Sequence, residues 1–327
     1  MTRILVIKLG AFGDVVQSFP AFAAIRAHHR DAHITLLTTA PFVALAEASP
    51  WFDEVWSGGR PAWHDLPGMV RLARRLRAGR FDRVYDLQDS RRSSRYRLAV
   101  GGAAEWSGSA RGASHAYDRP DRKSVVAPQR HREQLAIAGI PDVPPPDTGW
   151  LDADLSGLGL PPRFCLLIPG ASARMPEKRW PAERYAELAQ RLPVPAVVVG
   201  GPAEAPIAAA ICAAAPATRD LCGDRSPPPV LGALARRAAF AVGNDTGPTH
   251  LVAALGCPTL TLFGPRSDPA KHAPQGPAVA VIRVPSLAGL GVEGVLAALS
   301  ALVPEEVMPA PDDAGQWAES GSRRPGP

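Results

Sequence analysis

Short runs that are apolar at nearly every position recur along this chain, each ending in a glycine-rich or polar turn and followed by a segment with helical apolar spacing. Strands that are apolar throughout, rather than at alternate positions, need cover on both faces, and helices crossing between parallel strands supply it. Residues 3–9 make the first such run, Arg3-Ile4-Leu5-Val6-Ile7-Lys8-Leu9, and Gly10 to Gly13 make its turn. Val15, Val16, Phe19, Phe22 and Ile25 then set a helical face. Further strands are expected at 33–38, 52–56, 81–87, 164–168, 196–199, 240–242, 258–263 and 279–284, with helices at 42–48, 67–78, 130–138, 182–192, 226–238, 249–255 and 292–302. This alternation is that of α/β folds built on parallel sheets.

The 327 residues exceed the usual size of one domain, and the proline-rich stretch 141–149 is the sharpest break in composition. The expected division is an N-terminal domain at 1–145, a C-terminal domain at 150–303 and a disordered tail at 304–327 rich in Pro, Gly, Ser and acids. Residues 101–130 are glycine-rich and weakly periodic and read as loops, and His131 reads as a surface histidine, with a place lining a cleft as the alternative. A content of 46% hydrophobic and 20% charged residues excludes a disordered chain. No apolar run has the length of a membrane span, and the basic start leads into a strand pattern, so a cytoplasmic protein is expected. Four cysteines, far apart and without metal-ligand spacing, read as reduced and structural. A formal charge of +5 favours acidic partners, although the charge is nearly all arginine and an Arg-, Ala- and Pro-rich chain also follows from a GC-rich genome.

Residues 241–265 carry the most specific pattern. A strand end, the turn Asp245-Thr246-Gly247 and a helix starting at once place free N–H groups and a positive dipole end at the carboxyl edge of a sheet, where a phosphate can sit. Thr246 as a plain helix cap and His250 as a core histidine remain open beside an anion site. Asp14 follows the first strand. It suits a first-turn helix charge, and equally a general base that takes a proton from a substrate hydroxyl. A dinucleotide fingerprint is a third reading, against which stand the incomplete Gly10-x-x-Gly13 and the lack of an acid ending the second strand.

Between the strand at 164–168 and the next helix, Gly170, Ser172, Lys178 and Arg179 offer amides, a hydroxyl and charges to a diphosphate, without the pattern of a Walker loop. Lys178 as mere surface charge is the plainer alternative. Glu204 either accepts hydrogen bonds from vicinal ribose hydroxyls or begins a helix. From 71 to 97 stand ten arginines and three aspartates. They form a solvated helix face, or, at Arg91, Arg92, Arg95 and Arg97, a contact for an acidic acceptor.

Val6 to Asp14, Asp86-Leu87-Gln88, Lys178-Arg179-Trp180-Pro181 and the block from Asp245 to Phe263-Gly264-Pro265 together resemble glycosyltransferase family 9, the lipopolysaccharide heptosyltransferase family. The resemblance implies a GT-B type fold, two Rossmann-like parallel-sheet domains facing a central cleft, and inverting transfer of heptose from ADP-heptose without a metal or other cofactor. It implies Asp14 as catalytic base, with Ser172, Lys178, Glu204, Asp245, Thr246, Gly247 and His250 on the donor side. Lys8, Gln88, Arg91 and Arg92 fall on the acceptor side. The implied partners are a nucleotide-sugar donor, an acidic glycolipid acceptor and a peripheral membrane contact on the inner face of the inner membrane, and no nucleic acid. Another donor, a protein or other glycan acceptor, a non-catalytic sugar-nucleotide binder and a Rossmann oxidoreductase are the alternatives. Ala171-Ser172 departs from relatives with two hydroxyl residues there, and 101–130 matches nothing assignable.

Overall fold

The computed structural model describes residues 1–172 and 175–308 and, at Lys123, the backbone alone. Its contacts divide the chain into two units, one ending at Leu151 and the other starting at Asp152. The boundary lies after the expected start of the second domain at 150, because the Trp150 ring packs against Phe19 and Trp51, at 5.9 and 5.3 Å between centroids.

The first unit runs β1 (Arg3–Ile7), α1 (Phe12–Val16), α2 (Phe19–His28), β2 (His33–Leu37), α3 (Val43–Glu47), β3 (Glu54–Trp56), α4 (Leu66–Ala78), β4 (Arg83–Asp86), α5 (Arg91–Val100), β5 (Glu105–Gly108), β6 (His115–Ala116) and α6 (Ala127–Ile137). Among the described residues these strands form one six-stranded parallel sheet in the order β3-β2-β1-β4-β5-β6. The last four residues of β1 are fully buried, which is why the run is apolar without alternation. Helix α4 starts where the Asp65 side chain accepts from the Gly68 N–H at 2.8 Å, and Leu72 and Leu76, one turn apart, form its buried stripe.

Residues 101–130, expected as loops, hold two strands. Trp106 in β5 is fully buried in a core with Leu5, Leu37 and Val84, and β6 pairs on β5 through Ser107 and His115. The glycine in β5 and the two-residue length of β6 hide them; pairing with the sheet, not apolar period, makes them strands. His131 is not on the surface. It is 3% exposed, and α6, starting three residues before the expected helix, sets its Nε2 3.3 Å from the Leu87 carbonyl.

The second unit runs β7 (Cys165–Ile168), α7 (Ala182–Arg191), β8 (Ala196–Val198), α8 (Ala205–Ala214), β9 (Arg219–Asp220), α9 (Pro228–Arg237), β10 (Ala241–Asn244), α10 (Gly247–Ala254), β11 (Thr259–Phe263), α11 (Pro269–His272), β12 (Val279–Arg283) and α12 (Val292–Leu302). Its described strands form a six-stranded parallel sheet in the order β12-β11-β10-β7-β8-β9. Counted from each unit's own first strand, both sheets read 3-2-1-4-5-6, the doubly wound order whose switch point lies between strands 1 and 4. Those strands are β1 and β4 in one unit and β7 and β10 in the other. At Gly243 in β10 a Cβ would stand 2.4 Å from Thr249 Oγ1 and 2.9 Å from Ile168 Cβ, so only glycine lets α10 close on the strand.

All four cysteines are free. Of the expected tail, Pro304 to Met308 are described: Met308 is buried in the second core, and its N–H donates to the Pro304 carbonyl at 3.0 Å. The rest of that stretch lies outside the described residues. Among the described residues no helix is long and apolar enough to cross a membrane.

Candidate functional site

In the first unit the carboxyl ends of β1 and β4 are tied together directly. Lys8, the residue after β1, is 3% exposed and donates from Nζ to the Leu87 carbonyl at 3.1 Å, while the Leu9 N–H donates to Gln88 Oε1 at 2.7 Å. Burial drives the Lys8 ammonium down to about 8, with the Asp14 carboxylate acting in the opposite sense. Asp14 is the third residue of α1 and half-buried, and its Oδ2 accepts from the Ala11 N–H at 3.1 Å. The side chain thus serves its own helix start while its charge is felt by the buried lysine.

Asp86 closes β4, fully buried, and Oδ1 accepts from the N–H groups of Gln88 at 3.2 Å and Asp89 at 3.3 Å. Burial pushes its carboxyl up to about 7, with a Ser93 hydrogen bond opposing and the Asp89 charge adding to the rise. Asp89 takes the left-handed backbone conformation, φ 47°, and accepts from the Ser109 hydroxyl, with Arg122 and Arg130 at 3.3 and 4.0 Å. Arg91 is exposed at the start of α5. Arg92 donates to the Pro61 carbonyl at 2.5 Å and stacks over the Trp63 ring at 4.6 Å, toward α4.

The second unit gathers its expected donor residues more tightly. Lys178 Nζ donates to Asp245 Oδ2 at 2.7 Å, Ser267 Oγ donates to the same oxygen at 2.6 Å, and His250 Nε2 lies 3.7 Å from Oδ1. Burial works against the Asp245 charge, but the hydrogen bonds of His250, Lys178 and Ser267 outweigh it and hold the carboxyl well below the usual range. Thr246 is the extended N-cap residue of α10, and its side chain makes no capping hydrogen bond, so the plain cap reading does not describe it. Gly247 and Thr249 lie in the first helical turn, where N–H groups lack an intrahelical acceptor, and Pro248 has none to satisfy. The result is a cation, helix-end amides and a hydroxyl around one carboxylate at the switch point, an arrangement able to take up a phosphate.

Asn244 organises this corner. Fully buried, its Nδ2 donates to the Pro169 and Gly170 carbonyls at 2.8 and 3.3 Å, and its Oδ1 accepts from the Trp180 N–H at 3.1 Å and the Tyr185 hydroxyl at 3.2 Å. Ser172 presents an exposed side chain at the head of the loop that brings in Lys178, and its carbonyl accepts from the Met175 N–H at 2.9 Å. Glu204 is the N-cap residue of α8, and its Oε2 accepts from the Gly201 N–H at 2.9 Å. It lies so close to the β7 turn that a Cβ at Gly170 would meet its Cγ at 2.9 Å. The carboxylate therefore reaches the same strand end as Ser172.

Ser267, Asn244 and Asp86 had no assigned role in the sequence. Asn244 and Asp86 stand inside quoted motifs and could have been suspected as polar residues ending apolar strands. Nothing in local spacing points to Ser267, which reaches Asp245 across 22 residues. Among the described residues no group of three His, Cys, Asp or Glu side chains is placed to hold a metal ion.

The family model described as glycosyltransferase family 9 (heptosyltransferase) matches residues 69–288, more than half of the chain. A solved glycosyltransferase family 9 structure from Veillonella parvula is 25% identical with a TM-score of 0.76, over 92% of this chain and 97% of that one. An E. coli structure named ADP-heptose LPS heptosyltransferase II is 25% identical with a TM-score of 0.71, over 94% of this chain and 99% of its own. A Haemophilus influenzae protein, provisionally named a glycosyltransferase, is 33% identical over 82 residues, 25% of this chain and 23% of that protein. The chain thus spans about a quarter of the length of that curated relative.

Proposed function

The chain belongs to glycosyltransferase family 9, and on that premise we propose that it is an inverting, metal-independent glycosyltransferase moving a heptose from ADP-heptose to a sugar hydroxyl of a lipopolysaccharide core acceptor. The observation that carries the reading is the Lys178–Asp245 pair at the N-terminus of α10, at the second sheet's switch point, which supports a nucleotide-diphosphate site there. The name of the E. coli relative prints ADP-heptose and LPS, which supports the donor and the class of acceptor. ADP-heptose is a co-substrate, and no cofactor takes part.

In this reading Asp14 accepts the proton of the acceptor hydroxyl as its oxygen bonds to the anomeric carbon. The bond from that carbon to the diphosphate oxygen breaks on the opposite face, and its electron pair leaves with ADP. Lys178, Ser172 and the amides at Thr246 and Gly247 stabilise the charge on the departing diphosphate. Asp245, held by His250 and Ser267, orients the lysine, and Glu204 accepts from the ribose hydroxyls. Lys8, Gln88, Arg91 and Arg92 belong to the acceptor side, Lys8 through its charge beneath Asp14 rather than by direct contact, since it is buried. The work takes place on the cytoplasmic face of the inner membrane, where the protein is peripheral.

The test is a thermal-shift panel of ADP, UDP, GDP and NAD, followed by transfer assays with and without EDTA. ADP stabilises the protein most and transfer survives EDTA. Stabilisation by NAD alone, or by UDP in place of ADP, overturns the donor assignment, and transfer abolished by EDTA and restored by a divalent cation overturns metal independence.

A further inference from the structure

A second surface of the first unit, on the outer face of α4, adjoins the acceptor-side arginine Arg92, which lines its groove. Between α4 and α5 lies an open groove of about 210 Å3, lined by Pro61, Met69, Leu72, Ala73, Tyr96 and Ala99. Trp63, which lines it, is 68% exposed, and the helices that flank it carry further large exposed apolar side chains, Leu66 65%, Val70 49% and Leu98 79%. Burying such groups is worth enough that a cluster of them on a soluble surface marks something that covers it.

The cations on the same elements indicate what the cover is. Positions 66, 70, 74 and 77 of α4 fall on one helical face, opposite the buried Leu72 and Leu76, so Leu66 and Val70 share that face with Arg74 and Arg77. Arg71, Arg74 and Arg77 on α4 and Arg95 on α5 make no ion pair among the described residues. Acidic counterweight is scarce. Asp65 is engaged in capping α4, and Asp86 is buried. A second copy of the chain would set arginines against arginines. The apolar residues are spread along two elements with cations between them instead of converging on one pocket, which suits a laterally continuous boundary more than a single anchoring side chain.

We propose that the α4–α5 face of the first unit seats on an anionic lipid surface, with Trp63, Leu66, Val70 and Leu98 entering the boundary between headgroups and acyl chains and the arginines pairing with lipid phosphates. Guanidinium matches phosphate bidentately, and an indole with apolar neighbours and cationic flanks is the composition that lies in such an interface. The inference rests on the reading of a lipid-linked acceptor for its purpose, and on the observed surface for its content.

The test is flotation of the full-length protein with vesicles of phosphatidylcholine alone or mixed equally with phosphatidylglycerol, free of donor and acceptor sugar. The protein floats with the anionic vesicles and not with the neutral ones. Removing three cations with Arg71→Gln, Arg74→Gln and Arg77→Gln together lowers the partition by roughly a hundredfold, about fivefold for each surface arginine. Leu66→Ser with Leu98→Ser lowers it by about tenfold. Transfer to a soluble, lipid-free acceptor stays at the wild-type level in both variants, and should the serine pair shift the unfolding midpoint, the glutamine series still decides. Equal partition to both vesicle types, no flotation, or variants that float as well as the wild type each overturn the proposal. So does a wild-type dimer that the variants convert to monomer, which would make the face a contact between copies. Failure of wild-type transfer with intact flotation strikes the proposed reaction and leaves the surface standing.

Discussion

The two units wind their sheets in the same order and end strands 1 and 4 side by side, yet they furnish that shared corner in opposite ways. In the first unit the corner is closed by a buried lysine and a glutamine that tie one strand end to the other, leaving a half-buried aspartate on a five-residue helix above them. In the second, a buried asparagine does the tying, and the lysine, serine and helix-end amides remain at the edge around Asp245. In the proposed reading, one architecture yields a place where a proton is taken and a place where a diphosphate is held. What differs is which polar residue is spent on structure.

The sharpest way to break that contrast is kinetic. Asp14→Asn should lower turnover by about a hundredfold to ten-thousandfold while the affinity for ADP, measured by calorimetry, is unchanged. Lys178→Ala should lower ADP affinity and turnover together, turnover by about a hundredfold. Equal loss of ADP affinity in both would show that the two corners do not divide the labour. A smaller effect concerns stability. Asn244→Ala leaves two carbonyls and the Trp180 N–H unpaired, Tyr185 keeping the Ile168 carbonyl, and should cost about 3 kcal/mol, read as faster hydrogen exchange in the second unit with the first unaffected.

The pH dependence comes next. Because the folded Asp86 carboxyl is raised to about 7 above its ordinary value, its contribution to stability is complete below the ordinary carboxylate range and is lost as pH rises toward 7. Asp86→Asn should abolish that loss, which three units place at up to about 4 kcal/mol, and a denaturation series from pH 4 to 8 with the same slope in both proteins would refute it. Asp245 has the opposite sense, its contribution present above the ordinary carboxylate range and lost in acid. The least effect is expected of Ser267→Ala, a loss of about 1 kcal/mol in ADP binding, since Lys178 and His250 still hold Asp245.

Most of the strands of both sheets were legible because burial on two faces writes an unbroken apolar run, as in Ile4 to Ile7. The edges were not. His115–Ala116 and Arg219–Asp220 are two-residue strands with polar residues, recruited by a neighbour's hydrogen bonds. The donor corner was legible where it depends on consecutive residues, at Asp245 to Gly247, and where a strand-to-helix loop carries its own charge, at Lys178. It was opaque where a partner arrives from a distant loop, as Ser267 does. Lys8 shows a third limit: the sequence states the charge but not its direction, and only the fold reveals that the ammonium points to the Leu87 carbonyl.

Asn244 meets two carbonyls with its amide and two donors with its oxygen, in a space with no exposure left. Aspartate would turn an oxygen toward two carbonyls that now accept from the amide, leucine would silence both ends, and glutamine carries one carbon more. The four hydrogen bonds make this position the hinge pin on which the ends of β7 and β10 are held together.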